Sequence, residues 1–147
     1  MMMIEQLLTS FAASAAFAIL FQAPKRTLLQ CGFVGMAGWL LYISFMEMST
    51  DPILATLYAS FFITVLSLVF AKLYKTPIIV FNVAGIIPLV PGGLAYDAMR
   101  NVVENRYDIA VQLGFKAFLL SGAIAAGLFF TEVINQIIMK LRARRET

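Results

Sequence analysis

The feature that most constrains this chain is a succession of apolar runs bounded by charge, the fourth of them interrupted by Pro88, Pro91 and the pair Gly92-Gly93. About 20 apolar residues, wound as a helix, are long enough to cross the hydrocarbon of a bilayer. In hydrocarbon every backbone N–H and C=O needs a partner inside the protein, so such runs are expected to be helical. They fall at 4–22, 28–46, 53–71, 77–91 and 109–138. The expected fold is all-α: a polytopic membrane helical bundle of five spans with a broken fourth, residues 1–147 forming one integral membrane domain. Four complete spans plus a re-entrant hairpin is the alternative for the broken segment.

Composition supports this. The chain is 61% hydrophobic and 13% charged, whereas soluble domains average about half apolar and a quarter charged residues. Nothing in this balance suggests a separate soluble domain. Cys31 is the single cysteine, inside an apolar run, so no intrachain disulfide forms. Histidine is absent, which removes the commonest metal ligand and general base. Ser-His-Asp and Cys-His arrangements and His-containing zinc motifs go with it, and no phosphate loop or nucleophile elbow is present. The chain is read as no enzyme, with no cofactor and no metal.

Taken in order, the first run is expected to be a retained helix rather than a cleaved signal. Its start, Met1-Met2-Met3-Ile4-Glu5, lacks a basic region, and Pro24-Lys25-Arg26 follows the apolar run instead of preceding it. The second run carries Gly32, Gly35 and Gly38 near one helix face, where backbones approach closely. If the chain starts outside, the inner connections hold Lys25, Arg26, Lys72, Lys75, Lys140, Arg142, Arg144 and Arg145, eight of the eleven cations. The positive-inside rule then puts the N-terminus outside and the C-terminus in the cytosol. Cations placed between and after apolar runs describe a topology; nucleic acid is not a partner, and the lipid bilayer is.

The fourth run, Ile78 to Val90, is only 13 residues. Proline removes a backbone donor and clashes with the preceding turn. A bilayer tolerates such a break only where the freed groups face protein or a water-filled cavity. After Pro91, the amides of Gly92, Gly93, Leu94 and Ala95 open the next helix without intrahelical partners. That end is partly positive and suits a carboxylate. Asn82 and Tyr96 are expected to add orienting hydrogen bonds, and Asp97 to cap the helix or receive an amino group. Pro88, Pro91, Gly92 and Gly93 complete this candidate substrate site, and Gly92→Leu is expected to block it. The plain alternative is a proline-glycine turn at the membrane edge. Residues 94–107 form a short amphipathic helix with the apolar stripe Ala95, Met99, Val102 and Val103.

Two ionisable residues interrupt the last run, Lys116 and Glu132. A charge at mid-bilayer costs at least ~2.5 kcal/mol on insertion scales, so it faces a bundle interior or a cavity unless it snorkels to an interface. At ~1.5 Å per residue they are roughly 24 Å apart and form no direct pair. Each is a candidate for binding substrate or a coupling proton. Between them, Ser121, Gly122, Ala123, Ala125, Ala126 and Gly127 make a small-residue patch expected to form a tight helix contact.

Asn82 to Met99, with Ile-Pro-Leu-Val-Pro-Gly followed by Ala-Tyr-Asp-Ala-Met, resembles the threonine/serine exporter family in its small split-subunit form. The resemblance extends over essentially the whole chain. It implies a bacterial cytoplasmic (inner) membrane protein: the small subunit of a proton-coupled secondary carrier exporting threonine, serine or related small carboxylate solutes. It also implies a separate larger subunit with a cytosolic N-terminal region. Glu132 or Asp97 is then the proton carrier, and two halves of opposite orientation would enclose the site. A dicarboxylate (succinate-type) exporter subunit, a non-transporting assembly subunit and a small channel are the competing readings. A higher oligomer is left open.

Overall fold

The computed structural model describes residues 2–145; Met1, Glu146, Thr147 and the side chain of Arg145, one of the cations counted above, lie outside the described residues. The helices in chain order are α1 (Met2–Leu20), α2 (Leu28–Glu47), α3 (Pro52–Tyr74), α4 (Ile78–Ile86), α5 (Gly92–Val103) and α6 (Tyr107–Arg145), with one-turn 3-10 segments at Lys25–Thr27 and Ile87–Leu89. No strand occurs among the described residues. α1, α2, α3 and α6 are each long and apolar enough to cross a bilayer. α4 and α5 meet that test only together, bent by 54° at the break.

The helix ends explain the short connections. α1, α2, α3 and α5 are followed by Gln22, Ser49, Lys75 and Asn105 in the left-handed region, none of them glycine. Each lets the next amide reach back five residues: Ala23 to the Ala18 carbonyl, Thr50 to Phe45, Thr76 to Ala71 and Arg106 to Asn101, at 2.8–3.2 Å. This closure satisfies carbonyls that a helix end leaves open. α3 starts as cleanly, with the Asp51 carboxylate accepting from the Ile53 amide at 2.8 Å and Pro52 in the first turn.

Packing is by small residues. Gly32, Gly35 and Gly38 of α2 are all buried. A Cβ at Gly32 would come within 2.7 Å of the Phe11 ring, at Gly35 would collide with the Ser14 hydroxyl, and at Gly38 with Ile63. The first two glycines therefore seat α1 and the third seats α3. On α3 the buried stripe Thr56, Ser60, Thr64 and Ser67 is polar by composition. Three of these hydroxyls return to their own helix: Thr56 to Pro52, Ser60 to Leu57 and Thr64 to Ser60. This lets polar residues sit inside an apolar bundle. Val34, Ala59, Ile63, Leu89 and Ile124 form one core cluster, and Ala18, Cys31, Phe81 and Ala84 another.

α6 runs parallel to α3. A Cβ at Gly127 would lie 2.9 Å from both the Leu57 carbonyl and the Phe61 amide, and further along, the Thr131 hydroxyl donates to the Phe61 carbonyl at 3.4 Å. Since α3 and α6 point the same way, the α4–α5 element between them carries the chain from one end of the bundle to the other. Gln30 at the start of α2 and the Tyr74 hydroxyl at the end of α3 are hydrogen-bonded at 2.9 Å. Lys25, Arg26, Lys72, Lys75 and the α6 terminus thus share one basic end.

The α6 register also fixes depth. At ~1.5 Å per residue, α3 begins about 10 Å before the Gly127 contact, Lys116 lies about 16 Å before it and Tyr107 about 30 Å before it. The α5–α6 hairpin therefore projects past the end where α3 starts, and Lys116 lies just beyond that end. Glu132 is different: it is about 8 Å after the contact, whereas α3 continues for about 22 Å. Its level is that of the middle turns of α3.

Candidate functional site

Pro88 and Pro91 end α4 as their chemistry requires. Ile87–Leu89 tightens to a 3-10 turn, Val90 is extended with ψ 126°, and α5 restarts at Gly92 with no side-chain cap. The Gly92 amide donates to the Val90 carbonyl at 2.7 Å and the Ala95 amide to the Pro91 carbonyl at 3.1 Å. Of the four amides expected to be free, two are, those of Gly93 and Leu94.

Both residues line a cavity of about 260 Å³, together with Pro88, Pro91, Trp39, Tyr42, Thr56 and Leu120. Trp39 and Tyr42 stack with ring centroids 5.2 Å apart. The Thr56 hydroxyl donates to the Pro52 carbonyl at 2.7 Å, which leaves its oxygen able to accept. Trp39 and Pro88 also form the wall of a second cavity, about 240 Å³, whose other face is the α1 stripe Gln6, Thr9, Ser10 and Ala13. Thr56 is one turn from the start of α3, so the first cavity lies toward the end opposite the basic cluster rather than at mid-depth.

The structure gathers some of the expected residues and separates others. Pro88, Pro91 and Gly93 line the cavity. Gly92 does not line it and has open space around its Cα. Tyr96 is 68% exposed, Asp97 is exposed too, and neither lines the cavity. The Asp97 carbonyl accepts from Asn101 Nδ2 at 2.7 Å. Asn82 sits within α4 with its Oδ1 buried and without a hydrogen-bond partner, away from the lining. Lys116 and Glu132 are both exposed on α6 and lie outside the cavity.

α5 is the expected amphipathic helix, and its apolar stripe faces away from the bundle, with Met99 66% and Val103 79% exposed, while Asn101 is the buried residue of that helix. One further sequence expectation needs correction: the small-residue patch of α6 is split. Ala123 and Gly127 are buried, whereas Ser121, Gly122 and Ala125 are exposed. Trp39, Tyr42, Thr56 and Leu120 of the lining were not foreseen. A tryptophan and tyrosine three residues apart, hence on one helix face, and a threonine opening a polar stripe were the available signals.

Chemically, the unpaired amides at a helix N-terminus carry partial positive charge, and the two residues that bear them here, Gly93 and Leu94, both line the cavity. The aromatic faces beside them attract a cation. The arrangement therefore suits a small zwitterion or carboxylate.

One family profile, described as "Threonine/Serine exporter, ThrE", matches residues 6–134. A curated relative from Haemophilus influenzae, described as an uncharacterized protein, is 27% identical over 133 residues. The alignment covers 89% of this chain and 43% of the relative, so the chain spans less than half of that protein's length. No solved structure matches.

Proposed function

The chain belongs to the threonine/serine exporter family, and from that premise we propose that the α5 N-terminus holds the substrate carboxylate during export. The carrying observation is the pair of unpartnered amides, Gly93 and Leu94, on the wall of a cavity that also holds Trp39, Tyr42 and Thr56. The carboxylate sits on the amides, and the ammonium group lies against the aromatic rings and the Thr56 oxygen. The substrates are threonine, serine or small relatives, moved by proton coupling. The chain works with a larger subunit that has a cytosolic N-terminal region, in the bacterial inner membrane. Discontinuous helices hold anionic groups in this way in other secondary carriers.

The orientation belongs to the same reading. The shared basic end faces the cytosol, which puts the N-terminus outside and the cavity near the outer mouth, as a release-side station. Reporter fusions placing both termini on one side of the membrane overturn this topology.

The test removes one hydrogen bond donor. Gly93 has no positive φ and open space around it, so Gly93→Ala keeps the amide and the fold. Gly93→Pro deletes the N–H in the first turn, where proline is tolerated. Efflux is measured from cells expressing the chain with its larger partner, over a panel of amino acids and dicarboxylates. We expect Gly93→Ala to export at the parental rate and Gly93→Pro to lose roughly tenfold, the factor a charge-assisted hydrogen bond supplies. Equal rates for both variants remove the amides from the mechanism. Export of dicarboxylates alone replaces the amino-acid assignment.

A further inference from the structure

α6 carries two stripes at heptad spacing on opposite faces, and only one of them is used within the chain. The first, Ala110, Leu120, Ile124, Gly127 and Thr131, is buried against α5 and α3. The second, Phe118, Gly122, Ala125, Phe129, Glu132 and Gln136, is exposed along its whole length. Its outer half is apolar, with Phe118 71% and Phe129 66% exposed, as suits lipid or another helix. Its inner half is not: Glu132 and Gln136 stand on it at the depth of the middle turns of α3.

Among the described residues, the Glu132 carboxylate has one hydrogen bond, from Gln136 Nε2 at 3.3 Å, and no cation within ion-pair distance. Lys140 is two turns further on, at the basic end. A carboxylate on the outer face of a bundle, at mid-depth and with an amide as its neighbour, is not a lipid-facing arrangement. From this we infer that the second stripe of α6 is the docking face for a transmembrane helix of a different chain, which brings an Arg or Lys to the level of Glu132.

A second copy of this chain fits less well. Copies insert with the same orientation, so a two-fold pair of α6 helices would be parallel and would place Glu132 against its own equivalent. Two like charges meeting in low dielectric repel strongly. A cation satisfies the carboxylate, and Gln136 one turn on adds a second polar contact. The small side chains at Gly122 and Ala125 let the visiting backbone approach. The inference uses no part of the carboxylate cavity, so loss of export in a cavity variant does not bear on it.

The experiment places a photo-cross-linking residue at Phe129 of the full-length chain in native membranes, with Val69, an exposed residue of α3, as the control position. The expected product from position 129 is an adduct with a transmembrane segment of another chain that has Arg or Lys within one turn of the linkage. Glu132→Gln should lower its yield by roughly tenfold. Glu132→Arg should abolish it, and Glu in place of the partner's cation should restore it. Unchanged detergent elution of both variants shows that they fold. Three results overturn the inference: an adduct of this chain with itself, lipid adducts alone as at position 69, or a yield indifferent to Glu132. Capture of a partner segment without a cation overturns the charge pairing.

Discussion

Glycine has two opposite uses in this molecule, and the difference separates its packed half from its open half. At Gly35, Gly38, Gly85 and Gly127 an added Cβ would run into a neighbouring helix, whereas at Gly92, Gly93, Gly114 and Gly122 it would meet nothing within 4 Å. The first group lies where α1, α2, α3, α4 and α6 touch. The second lies at the start of α5, on the projecting part of α6 and on its outer stripe. None of the glycines has positive φ, so backbone conformation explains neither group. Crowded glycines are there for contact. Open glycines have no such contact within the chain: Gly93 lies in the first turn of α5, and Gly122 on the exposed stripe of α6.

The largest expected effect comes from breaking the crowded group. Gly127→Leu would drive a side chain into the α3 backbone at Leu57 and Phe61, where the chain cannot yield as a flexible side chain does. Overpacking of this kind costs about 1–3 kcal/mol in soluble cores, and more where backbone is met. We expect loss of the monodisperse species in detergent and little protein in the membrane. Thermal stability equal to the parent would mean that α6 does not pack on α3 here.

A smaller and opposite effect is expected at Asn82, which lies in the packed half yet leaves Oδ1 buried without a partner. An unsatisfied buried acceptor costs about 1–3 kcal/mol, and an apolar group of similar shape removes that cost. Asn82→Leu is therefore expected to raise the unfolding temperature in detergent while leaving export near the parental rate. A folded variant that no longer exports would return Asn82 to the substrate path.

These contrasts show what could be seen in the sequence and why the rest could not. The helical class follows from apolar runs between charges such as Arg26, Asp51 and Lys72. The break follows from Pro88 and Pro91, because both act through local sterics and a missing donor. The helix ends were hidden, since Gln22, Ser49, Lys75 and Asn105 take the left-handed conformation usually given to glycine. The cavity was only half visible: Pro88, Pro91 and Gly93 are local to the break, whereas Trp39, Tyr42 and Thr56 join it by tertiary packing from at least 30 residues away. Facing is the other hidden quantity. The stripe Met99 and Val103 has helical periodicity, but periodicity does not say whether a stripe meets this chain, lipid or another protein.

Gly114 gives the smallest effect and the finest test of the open group. It sits within the part of α6 that projects past α3, half-buried yet with no heavy atom near the position of a Cβ. In such a place glycine contributes only backbone freedom, which helix formation must restrict; alanine is better there by roughly 0.5–1 kcal/mol. Gly114→Ala is thus expected to raise stability by that amount in detergent, with export unchanged. Because the methyl group touches nothing within the chain, a loss of stability or of export can come only from a surface supplied by another molecule. That result would extend the docking face of α6 from Phe118 toward the tip of the hairpin, on the flank of the helix that Gly114 occupies.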